Sequence, residues 1–96
     1  MPAETFALPE VLDLKAAAPL KAALLELRGG GMQIDASEVR RMGGLCLQVL
    51  LAGARAWSED GMAYTIEPRS EAFSETLALF GAETRFGGAS AIGESQ

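Results

Sequence analysis

The sequence predicts an α/β fold, with a mostly parallel sheet of four or five strands and helices packed mainly on one face. Short apolar runs alternate along the chain with longer segments whose apolar residues recur at three- and four-residue spacing. Such alternation of strand and helix favours a parallel sheet joined by crossover helices. With 96 residues, 49% of them hydrophobic, the chain is long enough for one modest core. We expect one domain over residues 5–86, between tails at 1–4 and 87–96.

The first third of the chain predicts two short strands and one helix. The strands are Thr5–Leu8 and Val11–Leu14. The helix runs to Arg28 and begins near Ala16–Ala18, because Pro19 is best tolerated in the first turn of a helix. Its predicted buried stripe consists of Leu20, Ala23, Leu24 and Leu27.

The middle of the chain predicts a strand, a polar connection and a strongly apolar helix. These elements are Met32–Asp35, Ala36–Arg41 and Leu45–Ala56. The helix carries Leu47, Leu50, Leu51 and Ala54 on one face, with Val49 and Trp57 outside that stripe. A helix that is apolar over more than half of its circumference is buried on two sides or covers a partner.

The last third predicts a strand and a helix, with a further edge strand at Thr84–Phe86. The strand is Met62–Glu67, and Pro68 is expected to end it. Ser70 is a favourable N-cap for a helix through Phe80, with Gly81 as its C-cap. The predicted core residues of this helix are Phe73, Leu77 and Phe80.

Composition excludes several classes of function. The net charge is −5, from 8 basic and 13 acidic residues, which argues against nucleic acid or an anionic membrane surface as the main partner. The chain has no histidine and one cysteine, so the usual zinc, haem and nucleophile–histidine sites are excluded. No apolar run approaches the length of a membrane span. We expect a cytoplasmic, non-enzymatic protein without metal, cofactor, catalytic residues or direct membrane insertion.

Three segments in order resemble the STAS domain family, the sulphate-transporter and anti-sigma-factor-antagonist domains. They are Ile34-Asp35 with Val39 and Met42 before Gly43-Gly44-Leu45-Cys46-Leu47, then Ile66-Glu67-Pro68-Arg69-Ser70-Glu71-Ala72-Phe73, and Leu77-Ala78-Leu79-Phe80-Gly81-Ala82. The resemblance covers roughly residues 6–86. It implies a single STAS-like α/β domain that works by binding another protein.

The chain departs from the family pattern at the start of its middle helix. Where that pattern reads Asp-Ser-Ser/Ala-Gly-Leu, Gly43 replaces the Asp, Gly44 the first Ser and Cys46 the Gly. The first Ser is the residue that a partner kinase phosphorylates in phosphoregulated members of the family. The resemblance therefore implies the interaction surface of an anti-sigma factor antagonist, without its phosphorylatable serine.

The expected partner-binding residues lie in the loop before Gly44 and in the start of the helix. They are Ser37, Glu38, Arg40, Arg41, Gly43, Gly44, Leu45 and Gln48, with Gly44 as the phosphoacceptor equivalent. The resemblance implies a kinase-type anti-sigma factor or a two-component or chemotaxis-like signalling protein as partner. Alternatives are a STAS subunit of a phospholipid-transporting ABC system and a sensor that binds a nucleotide or another anion. The sequence also leaves open whether the chain forms a homodimer.

Several residues near this segment have both a functional and a structural interpretation. Gly43-Gly44 either cradles an anion or makes a tight turn easy. Cys46 is either reactive or a small buried residue. Asp35 and Glu38 are interpreted as residues that fix the loop or lie on the surface, because no third catalytic group accompanies them. For Trp57 we favour a place at the edge of the core over a role as a binding hot spot.

Overall fold

The computed structural model describes residues 4–82. In chain order, the elements are β1 (Glu4–Ala7), β2 (Val11–Leu12), α1 (Leu14–Glu26), β3 (Met32–Ala36), β4 (Arg41–Met42), α2 (Gly44–Glu59), β5 (Tyr64–Arg69) and α3 (Glu71–Leu79). The predicted α/β class is confirmed: three helices accompany strands that all pair in parallel. Strand β1 begins at Glu4, one residue before the predicted start of the domain.

The five strands form two sheets rather than the single predicted one. Strands β1, β3 and β5 make a three-stranded sheet in that order, and β2 pairs only with β4. The separation of the strands into two sheets results from Pro9. The Leu8 amide donates the last bond from the β1 side to the Asp35 carbonyl, at 2.9 Å, and the next residue has no N–H to continue the ladder.

The connection after β3 was predicted as a loop, but part of it is the strand β4. The amides of Arg40 and Arg41 donate to the Glu10 carbonyl at 2.7 and 3.2 Å, and the Gly43 amide donates to the Leu12 carbonyl at 2.9 Å. These bonds hold Arg41 and the following residue beside β2. A strand of two residues is too short to show an alternating pattern in the sequence. Only its backbone hydrogen bonds to Glu10 and Leu12 identify it.

One face of the three-stranded sheet is buried. Ile34 lies between Phe6 and Ile66 in the register, so the two isoleucines are on neighbouring strands. The buried side chains of β3 and β5 alternate with more exposed ones, as expected for a sheet covered on one side. They join Leu24 of α1 and Leu50 of α2 in one core cluster. The predicted packing of helices on one face agrees with this pattern.

Helix α1 begins earlier than predicted. Asp13 is its N-cap, and its carboxylate accepts bonds from the Lys15 and Ala16 amides at 3.1 and 3.2 Å. Pro19 therefore lies inside the helix, beyond the first turn. It cannot donate to the Lys15 carbonyl one turn earlier, but both residues are exposed, so water can solvate that carbonyl. The predicted stripe is otherwise correct: Leu20 and Leu24 are buried, and Ala23 and Leu27 are partly buried.

The third part of the chain agrees with the prediction except at element ends. Strand β5 begins at Tyr64 and includes Pro68, because the pairing with β3 is irregular after Ile66 and the ladder does not require a donor there. Ser70 caps α3 as predicted, and Gly81 follows the helix with φ of +67°, the left-handed conformation that favours glycine. Phe80 was predicted to be core, but it is 54% exposed. The predicted strand Thr84–Phe86 and the tail 87–96 lie outside the described residues.

Candidate protein-binding site

The site begins where β3 ends, in a turn closed by a carboxylate. Oδ1 of Asp35 accepts bonds from the Ser37 amide at 2.9 Å and from the Ser37 hydroxyl at 2.6 Å. These two bonds lower the pKa of Asp35, because they stabilise the charged carboxylate. Asp35 therefore fixes the loop, as the sequence suggested, while Ser37 and Glu38 are exposed.

The middle of the loop is anchored to α3 through Ser70. The Ser70 hydroxyl donates to the Val39 carbonyl at 2.6 Å and accepts from the Phe73 amide at 3.0 Å. The Ser70 amide also donates to the Ala36 carbonyl at 3.0 Å. Val39, only 2% exposed, is buried beneath the loop. One serine thus caps a helix and positions the loop that leads to the site.

The two arginines after Val39 are exposed at their side chains. Arg40 approaches Glu10 at 3.6 Å, between Nη1 and Oε1, with side-chain exposures of 77% and 59%. An ion pair this exposed contributes little to stability. Their backbone bonds to Glu10 position the loop, and both guanidinium groups are accessible to a partner.

Helix α2 begins without a side-chain cap. Gly43 is its N-cap residue, with φ of −92° and ψ of 170°, an extended conformation open to any residue. Gly44 also lacks a positive φ. The backbone at this pair therefore adopts no conformation that requires glycine. Because the Gly43 amide bonds to the Leu12 carbonyl, it is not available to hold an anion.

The start of α2 borders an apolar groove of about 330 Å³. Leu45 on one side of the groove is 50% exposed, and Phe80 is 54% exposed. A Cβ built on Gly44 would lie 3.6 Å from Cζ of Phe80, an ordinary contact distance. The groove is lined by Gly44, Leu45, Leu47, Gln48, Leu51, Phe80 and Ala82.

Phe80 is the residue of this site that the sequence prediction missed. Its three-residue spacing from Leu77 suggested the core stripe of α3. The helix ends one residue earlier, at Leu79, and Phe80 is its C-cap. Gly81 could have shown this, because a glycine directly after a helix usually marks the position beyond the C-cap.

The predicted partner-binding residues lie along one continuous segment, from the end of β3 to the second turn of α2. Seven of them are exposed, namely Ser37, Glu38, Arg40, Arg41, Gly43, Leu45 and Gln48, and Gly44 is half-buried. Buried residues lie between them along the segment. These buried side chains anchor the segment to the core, while its polar side chains face solvent. We call residues 37–48 together with Phe80 the turn–helix surface.

The comparison with protein families decides the identity of the fold. Residues 3–88 match the family model described as Mlab, STAS domain. The chain belongs to the STAS domain family. STAS domains are in general regulatory domains that bind other proteins and do not catalyse reactions. No curated protein sequence matches the chain.

Cys46 and Trp57 belong to the core of this STAS domain. Cys46 is fully buried, its thiol donates to the Asp13 carbonyl at 3.3 Å, and burial raises its pKa, so the thiolate is disfavoured. Trp57 is 1% exposed and donates from Nε1 to the Gly30 carbonyl at 2.7 Å. Its ring centroid lies 5.4 Å from that of Tyr64. These contacts agree with the structural interpretation of both residues.

Residues 4–82 contain neither a metal-binding cluster nor a membrane-spanning helix. No group of three or more histidine, cysteine, aspartate or glutamate side chains within this range is arranged to hold a metal ion. Within the same range, no helix combines the length and the apolarity that a membrane span needs.

Proposed function

We propose that this STAS domain binds a regulatory protein partner through the turn–helix surface, without control by serine phosphorylation. The observation that carries the proposal is the exposed apolar pair Leu45 and Phe80 beside Gly44. Exposed apolar side chains around a groove, bordered by polar residues, are typical of protein interaction sites. Gly44 stands where phosphoregulated relatives carry the phosphoacceptor, and it has no oxygen to phosphorylate.

A permanently competent surface follows from Gly44. A phosphate at this position would add a charge of about −2 and considerable bulk next to Phe80. Both would oppose the close packing of a partner against the groove. Because Gly44 cannot carry that group, the amount of the protein, rather than its modification, would set how much partner is captured.

The partner that we propose is a kinase-type anti-sigma factor or a two-component or chemotaxis-like signalling protein, as the STAS resemblance implies. We propose the cytoplasm as the location. Arg41, which forms no ion pair within residues 4–82, and Arg40, whose pair with Glu10 is exposed, would meet acidic groups of the partner. Neither nucleic acid nor a membrane is part of this proposal.

A second candidate function is that of a STAS subunit of a phospholipid-transporting ABC system. The observation that favours it is the description of the matching family model, which names Mlab and not an anti-sigma factor antagonist. The same surface would then dock on the transporter ATPase or permease. Affinity purification from the protein's own cell, followed by mass spectrometry, distinguishes the two partner classes.

Two substitutions at Gly44 test the proposed surface. Gly44→Ser should leave partner binding nearly unchanged, because the new side chain fits beside Phe80 and serine is accepted at a helix start. Gly44→Glu should stay folded, since a negative charge suits a helix N-terminus. It should nevertheless weaken binding at least tenfold, about 1.4 kcal/mol, in calorimetric titration of the purified partner. If Gly44→Glu binds as tightly as the parent, the turn–helix surface is not the interface.

A further inference from the structure

A second apolar groove, of about 350 Å³, lies between α1 and α2. Leu24 and Leu25 form its α1 wall, and the small residues Ala52 and Ala56 on α2 leave its floor open. Volumes above about 300 Å³ with mainly apolar walls and few polar groups are typical of small-ligand sites. This groove is distinct from the turn–helix surface, although Gln48 borders both.

The two ends of this groove differ in charge. At one end, Arg28 is already matched by Asp60, with three nitrogen–oxygen distances of 2.9, 3.0 and 3.1 Å. At the other end, Lys21 forms no ion pair within residues 4–82. Its α1 neighbours three and four positions away are all alanine or leucine, so the helix itself supplies no counter-charge.

We propose that this groove binds a single-chain alkyl carboxylate, with the carboxylate at Lys21 and the tail directed toward Trp57. Charge complementarity within an acidic protein supports this ligand. The net charge of the chain is −5, yet the charged residues that line the groove are Lys21 and Arg28, with no acidic residue among the described lining. One unmatched cation above apolar walls fits a monoanion with an apolar tail. This site goes beyond the proposed protein-binding function and does not depend on it.

The helix geometry sets the length of the tail. Lys21 lies in α1 and Arg28 lies two residues past its end at Glu26, so the groove extends about 10 Å along the helix axis. An extended chain of about eight carbons spans that distance, because each carbon–carbon bond of about 1.5 Å advances a zigzag by less than its own length. Sodium octanoate is therefore the probe of choice.

Titration of the purified full-length chain with carboxylates of increasing length tests the tail. Trp57, the only tryptophan of the chain, lines the groove and reports binding through its fluorescence. We expect a saturable change with octanoate, below the concentration at which it aggregates. Affinity should rise about fourfold per methylene from hexanoate to octanoate, and by less than twofold in total from octanoate to decanoate. No saturable change, or no dependence on length up to eight carbons, would overturn the proposal.

Three substitutions test the head and the walls of the site. Lys21→Gln should weaken octanoate binding about two- to fivefold, the range of an exposed ion pair, and leave binding of uncharged octan-1-ol unchanged. The matched control, Lys15→Gln, alters an exposed lysine of α1 that does not line the groove and should have no effect. Ala52→Leu should abolish binding of both probes by filling the groove, and it should fold because Ala52 is exposed. Equal affinities for Lys21→Gln and Lys15→Gln, or undiminished binding by a folded Ala52→Leu, would contradict the site.

Discussion

At the scale of single residues, Gly53 shows how packing overrides helix propensity. A glycine inside a helix costs about 1 kcal/mol relative to alanine. In α2, however, a Cβ on Gly53 would lie 2.7 Å from Oη of Tyr64. That hydroxyl donates to the Leu50 carbonyl at 2.8 Å and is buried, so it has little room to move. The absence of a side chain at this position allows strand β5 and helix α2 to approach closely.

We therefore predict that Gly53→Ala lowers the free energy of unfolding by roughly 1–3 kcal/mol, the cost of overpacking. Helix propensity alone predicts the opposite sign. Urea denaturation measures the difference. In a Tyr64→Phe background, which removes the closest atom, the cost of Gly53→Ala should be smaller. A stabilised Gly53→Ala variant would show that Tyr64 does not restrict this position.

At the scale of elements, Ser70 couples α3 to the loop of the turn–helix surface. Its hydroxyl makes two bonds with different roles: it accepts from the Phe73 amide as an N-cap and donates to the Val39 carbonyl. Aspartate can replace the first function but not the second, because a carboxylate has no hydrogen to donate. The two roles can thus be separated by choosing the substituent.

Ser70→Ala should lower the free energy of unfolding by about 1–2 kcal/mol, because it removes both bonds. Ser70→Asp should lower it by less. Amide hydrogen exchange resolves the two roles: exchange in residues 37–41 should accelerate in both variants, whereas exchange at Phe73 should accelerate only in Ser70→Ala. If residues 37–41 stay as protected in Ser70→Asp as in the parent, the Val39 bond does not hold the loop.

The elements that the sequence could predict are those with a local signal in the sequence. Strands β3 and β5 and helices α2 and α3 have clear periods or end signals, so their existence followed from local pattern. Strand β4 has only two residues, and its place depends on bonds to Glu10 and Leu12 that no local pattern contains. The predicted start of α1 near Ala16–Ala18 is wrong because that prediction placed Pro19 in the first turn, whereas the helix begins directly after its N-cap, Asp13. Pro19 is tolerated beyond the first turn because it and Lys15 are exposed, so water can solvate the Lys15 carbonyl.

The sequence could predict the parts of the candidate site that follow from residue type. It could not predict the part that depends on the exact residue at which a helix ends. The exposure of Leu45 and of the arginines follows from a polar loop that meets a helix start. The exposure of Phe80 follows from the termination of α3 at Leu79, and a shift of one residue there changes which side chain is buried. Helix ends are the least certain part of any assignment from sequence.

At the scale of the whole molecule, α2 is the element between the two grooves. Its inner face packs into the core through Leu50, which is fully buried. Its outer face separates the groove at Phe80 from the groove at Lys21, and Gln48 borders both. The apolar character that the sequence showed around most of this helix is therefore divided between one core face and two surface grooves. The proposed protein partner and the proposed carboxylate would use different sides of the same helix.

This division predicts two groups of apolar residues. Substitutions in the first group lower the stability of the fold, and substitutions in the second lower the affinity for the partner. Leu50→Ala should lower the free energy of unfolding by roughly 2–5 kcal/mol, because it leaves a cavity in the core. Leu45→Ala and Phe80→Ala should each cost about 1 kcal/mol or less, because both side chains are about half exposed, at 50% and 54%. The latter two should instead weaken partner binding at least tenfold, as residues that anchor an interface do.

Urea denaturation and calorimetric titration of the purified partner, applied to the same three variants, decide between these effects. Ala52→Gln is the matched surface control, since it alters an exposed residue of α2 that does not line the groove at Phe80. It should leave partner binding unchanged. If Phe80→Ala destabilises the protein as much as Leu50→Ala does, Phe80 belongs to the core. If Leu45→Ala and Phe80→Ala fold and bind like the parent, the partner docks elsewhere and the groove at Gly44 is not its site.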